Sequence, residues 1–303
     1  MEILFKTSNF DYETKKICTV CINALFEQYI GKVEGLKYFV ICDTEINAFN
    51  KTINEFAKYF NSETYAENTE MYQVGAKALH GTDNNGKLCS AVVFKSGIIL
   101  CLLSDLYGNP SQDKATSECS LQWMGITTVL HEIGHVIDYN TLSKIDPYFI
   151  SNKIRYDISI PKEKEEYVQR SCINLWSEYF ADTYVFRLCD NLRNVLHENE
   201  DQLISSILEY YGNNISVEER VYRILYFYSR LVAQQGLEYS NNILKNSKIM
   251  CYSGFLGTFG TELMALHNTY PNWNANNSFH RITSIYNLFL AYEKSINNDK
   301  VIL

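Results

Sequence analysis

Thr128-Val129-Leu130-His131-Glu132-Ile133-Gly134-His135-Val136-Ile137 is the stretch whose reading decides the fold. On a helix, His131 and His135 sit one turn apart on the same face. Two imidazoles so placed can reach a single Zn²⁺, and Glu132 borders the same site as a general base. The flanks sharpen the reading. Between Leu121 and Asn140 the only charged residues are Glu132 and Asp138. An apolar helix carrying two histidines and two acids is a buried helix with a polar task.

Outward from this helix, the chain has the means to bury it. At 303 residues, with 46% hydrophobic and 20% charged side chains, it forms a sizeable core and is not a disordered chain. A net charge of -8, with no block of Lys or Arg, argues against a nucleic acid as partner. The opening MEILFKTSNFDYETKK has an acid at position 2 and no apolar core, so it does not read as a signal peptide. The most apolar run, Ala91 to Leu106, is broken by Lys95 and Asp105 and is too short to span a bilayer. The expected location is cytoplasmic, with no membrane partner. Nine cysteines at irregular spacings suit reduced thiols. Cys18-Thr-Val-Cys21 lies within a helical pattern and has no second Cys/His pair beside it.

Before the histidine helix, apolar residues from Thr14 to Ile30 recur at helical spacing and Gly31 ends the run. Leu36 to Cys42 reads as a buried strand. Asp43-Thr44 is placed to cap a helix running to Phe60. Residues 61 to 87 read mainly as loop around a short strand, with a turn at Asn84-Asn85-Gly86, and His80 within it as a surface or turn residue. Leu88 to Phe94 and Ile98 to Leu103 read as two strands of a hairpin joined at Lys95-Ser96-Gly97. The edge strand of that hairpin, Ile98 to Leu103, is placed to hold a peptide by strand addition.

After the histidine helix, residues 141 to 162 read as irregular, and Lys162 to Arg170 as the charged start of a helix. From Ser171 to Cys189 the only acids are Glu178 and Asp182 and the only base is Arg187. The remainder alternates amphipathic helices with breaks at Gly212-Asn-Asn, Gly236 and Asn241-Asn242, and Asp190 to Asp201 reads as a solvated face. With no repeat or linker, the expectation is one domain over 1–303. Residues 1–140 supply a small mixed sheet and the histidine helix, and 141–303 a mainly helical part. The fold class is α+β.

A zinc held by two histidines needs a third protein ligand, with a fourth position left for water. A His-x-x-Gly-x-x-His extension fails, because Asp138 and Thr141 stand where the glycine and histidine would be. No Gly-Thr-x-x-Asp segment follows. Glu178 is the leading choice, an isolated acid in apolar surroundings that needs a compensating partner. Glu165 and Glu166 also lie downstream, in a hydrophilic run. Asp182, one turn beyond Glu178, is placed to accept the Nδ1–H of a ligand histidine. Arg187 or a distant Lys is the ordinary structural partner for these two acids. Asp138, three residues past His135, is either a similar orienting acid or a helix-end acid.

His-Glu-Ile-Gly-His-Val-Ile-Asp followed by Ser-Glu-Tyr-Phe-Ala-Asp resembles the glutamate-zincin metallopeptidases, over about 55 residues from Thr128 to Asp182. The lethal-factor-like and the ImmA/IrrE-like peptidases look closest. The resemblance implies a zincin-like fold and one Zn²⁺ per chain on His131, His135 and Glu178. It also implies a peptide or protein substrate hydrolysed by metal-activated water, with Glu132 as base. In such peptidases a tyrosine a few residues before the glutamate assists the transition state. That offset falls on Ser171 here, and Tyr167 is the nearest tyrosine upstream. His267 and His280 are further candidates for steadying the oxyanion. The alternatives are a zinc hydrolase of non-peptide amides and an inactive scaffold that binds peptides or protein partners.

Overall fold

A computed structural model describes residues 1–60, 75–104, 115–145, 164–189, 216–245, 250–273 and 280–300. The chain divides into two compact units, Met1–Thr141 and Leu142–Leu303. The architecture is mixed α and β, with one four-stranded sheet in the first unit.

In the first unit the strands are β1 (Glu2–Lys6), β2 (Leu36–Cys42), β3 (Ala76–Thr82) and β4 (Leu88–Lys95), in the order β1-β2-β4-β3. The first three in space are parallel, and β3 runs antiparallel to β4. The central strands β2 and β4 are buried nearly throughout, as their mostly apolar sequences suit in strands covered on both faces. Helix α1 (Tyr12–Leu25) begins at Asp11, whose carboxylate accepts from the Thr14 amide at 2.8 Å and is held below its ordinary pKa by that bond. It runs into a π turn, Phe26–Ile30, and stops at Gly31, where φ is 74°. Phe26 packs on Phe39, which in turn stacks on Phe94, so α1 covers that face of the sheet. Helix α2 (Ile46–Tyr59) covers the other face. There Phe49, Ile53 and Phe56 meet Val40, Cys42, Leu79, Ala91 and Val93.

Two expectations need correction here. Ser96–Leu102 is a helix, α3, and not the second strand of a hairpin. An apolar run of this length suits a buried helix as well as a strand. Both edges of β4 are already taken, by β2 and β3, so a further strand there has no partner. Ser96, Ile99 and Leu102, each three apart, are its buried positions. The hairpin joins β3 to β4 instead. Its turn at Asp83–Lys87 is tied by the Asp83 carboxylate to the amides of Asn85 and Lys87, both at 3.0 Å, with Gly86 at φ 73°. The second correction concerns the α2 start. Glu45 is its N-cap, while Asp43 accepts from Thr7 and Thr44 pairs with Ser96. β1 was not foreseen.

Helix α4 (Ala115–Ile145) carries the two histidines. It passes so close to α3 at Gly125 that a Cβ there would lie 2.6 Å from the Leu102 amide nitrogen. Val129, Leu130, Ile133 and Val136 are fully buried. Near its C-terminal end, Asn140 donates to the Glu34 carbonyl and lies over Gly35, whose φ is 75°.

The described part of the second unit is helical, with α5 (Lys164–Leu188), α6 (Val217–Gln235), α7 (Leu237–Ile243), α8 (Ser253–Thr269) and α9 (His280–Lys300). Ser216 caps α6 through the Glu219 amide, and Gly236 at φ 84° ends it, as expected. Asn241 and Asn242 lie in the last turn of α7, which ends at Ile243, one residue beyond the expected break. Trp176, Tyr228, Phe259, Tyr286 and Phe289 fill the core. Glu293, also buried, accepts from Tyr252 at 2.6 Å and pairs with Arg220 at 3.2 Å. The expected break at Gly212 and the charge run from Asp190 to Asp201 lie outside the described residues, as do the side chains of Glu165 and Glu166.

The described cysteines are unbridged. Burial raises the Cys18, Cys42 and Cys89 thiols to about 11 and that of Cys172 to about 12. Cys18 and Cys21 therefore lack the lowered pKa of a reactive C-x-x-C pair. No helix among the described residues is long and apolar enough to cross a membrane.

Candidate functional site

In the first unit, α4 places His131 and His135 as its pitch dictates. Their rings meet edge to face with centroids 4.6 Å apart, and their Nε2 atoms lie 3.0 Å from each other. Two nitrogens on one tetrahedral zinc, at the usual Zn–N length of about 2.0–2.1 Å, would lie about 3.3 Å apart. The pair therefore already has nearly the spacing that one cation asks of it. Glu132, between them in sequence, retains only 9% exposure. Asp138 is fully buried further along the same helix.

The sheet edge next to this helix is β3, which fills the place expected of Ile98 to Leu103. The Lys95 amide donates to the Gly75 carbonyl at 2.9 Å. With the β3–β4 register, this turns the main-chain groups of Lys77, Leu79 and Gly81 towards β4, and those of Ala76, Ala78 and His80 away from it. At the far end the Thr82 amide is taken by the Phe60 carbonyl at 3.3 Å. His80 is not a turn residue. Its ring lies flat on Tyr139 of α4, with centroids 4.3 Å apart and planes 15° apart. Its Nδ1 is 3.0 Å from Ser90 Oγ on β4. Burial, reinforced by the charges of His135 and Lys77, pushes its pKa well below the ordinary histidine value. A strand is thus fastened to the histidine helix by one aromatic stack.

In the second unit, Glu178 and Asp182 sit one turn apart on α5, Glu178 half-buried and Asp182 buried. Opposite them on α6 stand Tyr226 and Arg230, also one turn apart. The Arg230 guanidinium donates to both oxygens of Asp182, Nε to Oδ2 at 2.7 Å and Nη2 to Oδ1 at 3.3 Å. Its Nη1 donates to the Tyr226 hydroxyl at 3.2 Å, and that hydroxyl donates to Glu178 Oε2 at 3.4 Å. The charge of Asp182 holds the Arg230 pKa well above its usual value. Burial, with the charge of Glu178, pushes the Tyr226 phenol up, so it is a neutral donor.

The partner of Asp182 is therefore Arg230 of α6, where the sequence had offered Arg187 or a distant Lys. Arg187 is exposed at the end of α5. Tyr226 and Arg230 were missed, although a signal existed: Arg230 is the one charged residue between Ile224 and Gln235. That is the same isolation that singled out Glu178. Tyr167 is engaged with Ser171 and Tyr286, and Ser171 is buried. His267 lies against the rings of Trp176, Tyr179 and Phe180, and burial lowers its pKa. His280 is exposed at the start of α9.

Compared with protein-family models, with curated proteins and with solved structures, the chain matches none.

Proposed function

We propose that the chain is a zinc-dependent endopeptidase of glutamate-zincin type, with a zincin-like arrangement of helix and sheet in its first unit. The observation that carries this reading is the 3.0 Å approach of the two Nε2 atoms across one turn of a helix whose intervening acid, Glu132, is buried. The ligand set proposed is His131, His135 and Glu178, each of which offers one ligand atom, a ring nitrogen or a carboxylate oxygen. Two imidazoles and a carboxylate are the donor set of a hydrolytic zinc site, with a fourth position left open. One Zn²⁺ there would lower the pKa of a water towards about 7.

The other steps belong to side chains of this chain. Glu132 takes the proton of the attacking water and delivers it to the leaving amine. Asp182 orients the ligand set from one turn beyond Glu178. The β3 edge, where Ala76 and Ala78 turn their main-chain groups away from β4, is where an extended peptide would pair. The substrate is accordingly a peptide or a protein segment in extended form, in a cytoplasmic setting.

The test is Glu132→Gln. This change keeps shape and hydrogen bonding and removes the base. Zinc measured by elemental analysis should remain at about one per chain, while turnover of a peptide library falls by roughly 10²–10⁴-fold. A wild-type protein that holds zinc but cleaves no peptide in a proteome-derived library would instead be a zinc-bearing scaffold, and the peptidase reading would be lost.

A further inference from the structure

The second unit contains a matched ladder between two helices. Glu178 faces Tyr226, and Asp182 faces Arg230, so both rungs join residues 48 apart in sequence. Each helix spaces its two members by one turn, which is why both rungs can form at once. The four side chains are joined in series. Asp182 receives two bonds from Arg230, Arg230 donates to the Tyr226 hydroxyl, and Tyr226 donates to Glu178. The guanidinium also lies over the Tyr226 ring, with its central carbon 5.6 Å from the ring centre.

We infer that Tyr226 and Arg230 are positioning residues for Glu178, holding its carboxylate in the rotamer that binds the metal. The inference rests on the ligand set proposed above. A glutamate has three side-chain torsions, and left to itself it would lose their freedom when it binds an ion. A donor on Oε2 removes part of that freedom in advance. The donor is itself held, because its oxygen accepts from Arg230. Arg230 is fixed in turn by a two-pronged bond to Asp182, which retains 4% side-chain exposure. A lone tyrosine would rotate about its own torsions, and a lone arginine beside Glu178 would compete with the metal for both oxygens. Tyrosine as the intermediary leaves both guanidinium prongs on Asp182 and gives Glu178 a neutral donor. Asp182 thus serves the ligand carboxylate by anchoring Arg230.

The test compares Tyr226→Phe, Arg230→Met and Arg230→Lys with wild type in two measurements. One is zinc affinity, read by competition with a chromophoric chelator. The other is the melting temperature of the metal-free protein. Tyr226→Phe should weaken zinc binding by roughly 10–100-fold with little change in melting temperature. Arg230→Met should weaken it as much, and Arg230→Lys should recover part of the loss. Tyr228→Phe, which removes a hydroxyl bonded to Asn241 at 3.1 Å on the same helix, should leave zinc affinity unchanged. Glu178→Ala separates the two levels of the argument. If it retains wild-type affinity, the ligand set itself is wrong. If it loses affinity while Tyr226→Phe binds zinc as wild type does, Glu178 is a ligand and the positioning role is overturned. Should Arg230→Met fail to fold, Tyr226→Phe alone decides, because it removes one oxygen and keeps the ring.

Discussion

The two units place their chemistry in different ways. In the first, the histidines are spaced by the pitch of one helix, so four residues of sequence set the 3.0 Å between their nitrogens. In the second, Glu178 and Asp182 are likewise one turn apart, but what they bond to stands on another helix 48 residues later. The first arrangement survives wherever the helix forms. The second exists only when α5 and α6 are packed in register, within the core that takes in Leu175, Trp176 and Tyr179 of one and Val221, Ile224 and Tyr228 of the other. A local device and a tertiary device should therefore respond differently to substitution.

The largest expected effect is on the local device. His131→Ala or His135→Ala should abolish tight zinc binding, since two protein ligands do not hold the ion against a chelator. Glu178→Ala should weaken binding strongly, and Asp182→Asn by roughly 10–100-fold. Isothermal titration of the four variants orders them. If Asp182→Asn proves as damaging as His131→Ala, the contrast between pitch-set and packing-set ligands collapses.

A smaller effect probes the anchoring of the histidine helix. Gly35→Ala puts a side chain at a positive φ and within 3.0 Å of Asn140 Oδ1. The left-handed backbone alone costs about 1–2 kcal/mol. The melting temperature should fall by about 2–8 °C. Zinc affinity should stay within twofold, because the helix pitch is untouched. A loss of zinc binding beyond that would mean that the local device leans on its surroundings after all.

The smallest effect is a slope. His267, in the second unit, has its pKa lowered by burial and then by the charge of Arg187. The folded form thus favours the neutral ring, and the unfolded chain takes up a proton first as pH falls. The stabilisation is complete above the ordinary value of about 6.5 and is lost as pH drops through it towards the depressed folded value. His267→Phe should flatten the acid limb of a stability–pH curve. His80 is lowered in the same direction in the first unit, so His267→Phe should leave that contribution in place. An unchanged acid limb in His267→Phe would assign the whole slope elsewhere.

What the sequence made legible follows the same division. The histidine helix, β2, α1 and α2 announce themselves by local period and spacing. Glu178 stood out because an isolated acid in an apolar helix is itself a local anomaly. Tyr226 and Arg230 were invisible as partners, since only packing brings α6 beside α5. Ser96–Leu102 was misread for the same reason. Its apolar pattern suits strand or helix, and the deciding fact is that β3 already occupies the edge of β4. That strand was in turn obscured by the polar stretch before it, and His80 with it. β1 is five residues long, and its partner β2 lies beyond a whole helix.

The protonated thiols have a practical consequence. At pH 7 a thiol whose pKa is about 11 is ionised to about 10⁻⁴, so Cys18, Cys42 and Cys89 react negligibly with an alkylating reagent while folded. They become reactive only when the first unit opens, and Cys172 does so only when the second opens. The chain thus carries its own reporters. Mass spectrometry of alkylated peptides over time would give a separate opening rate for each unit, without any label being engineered.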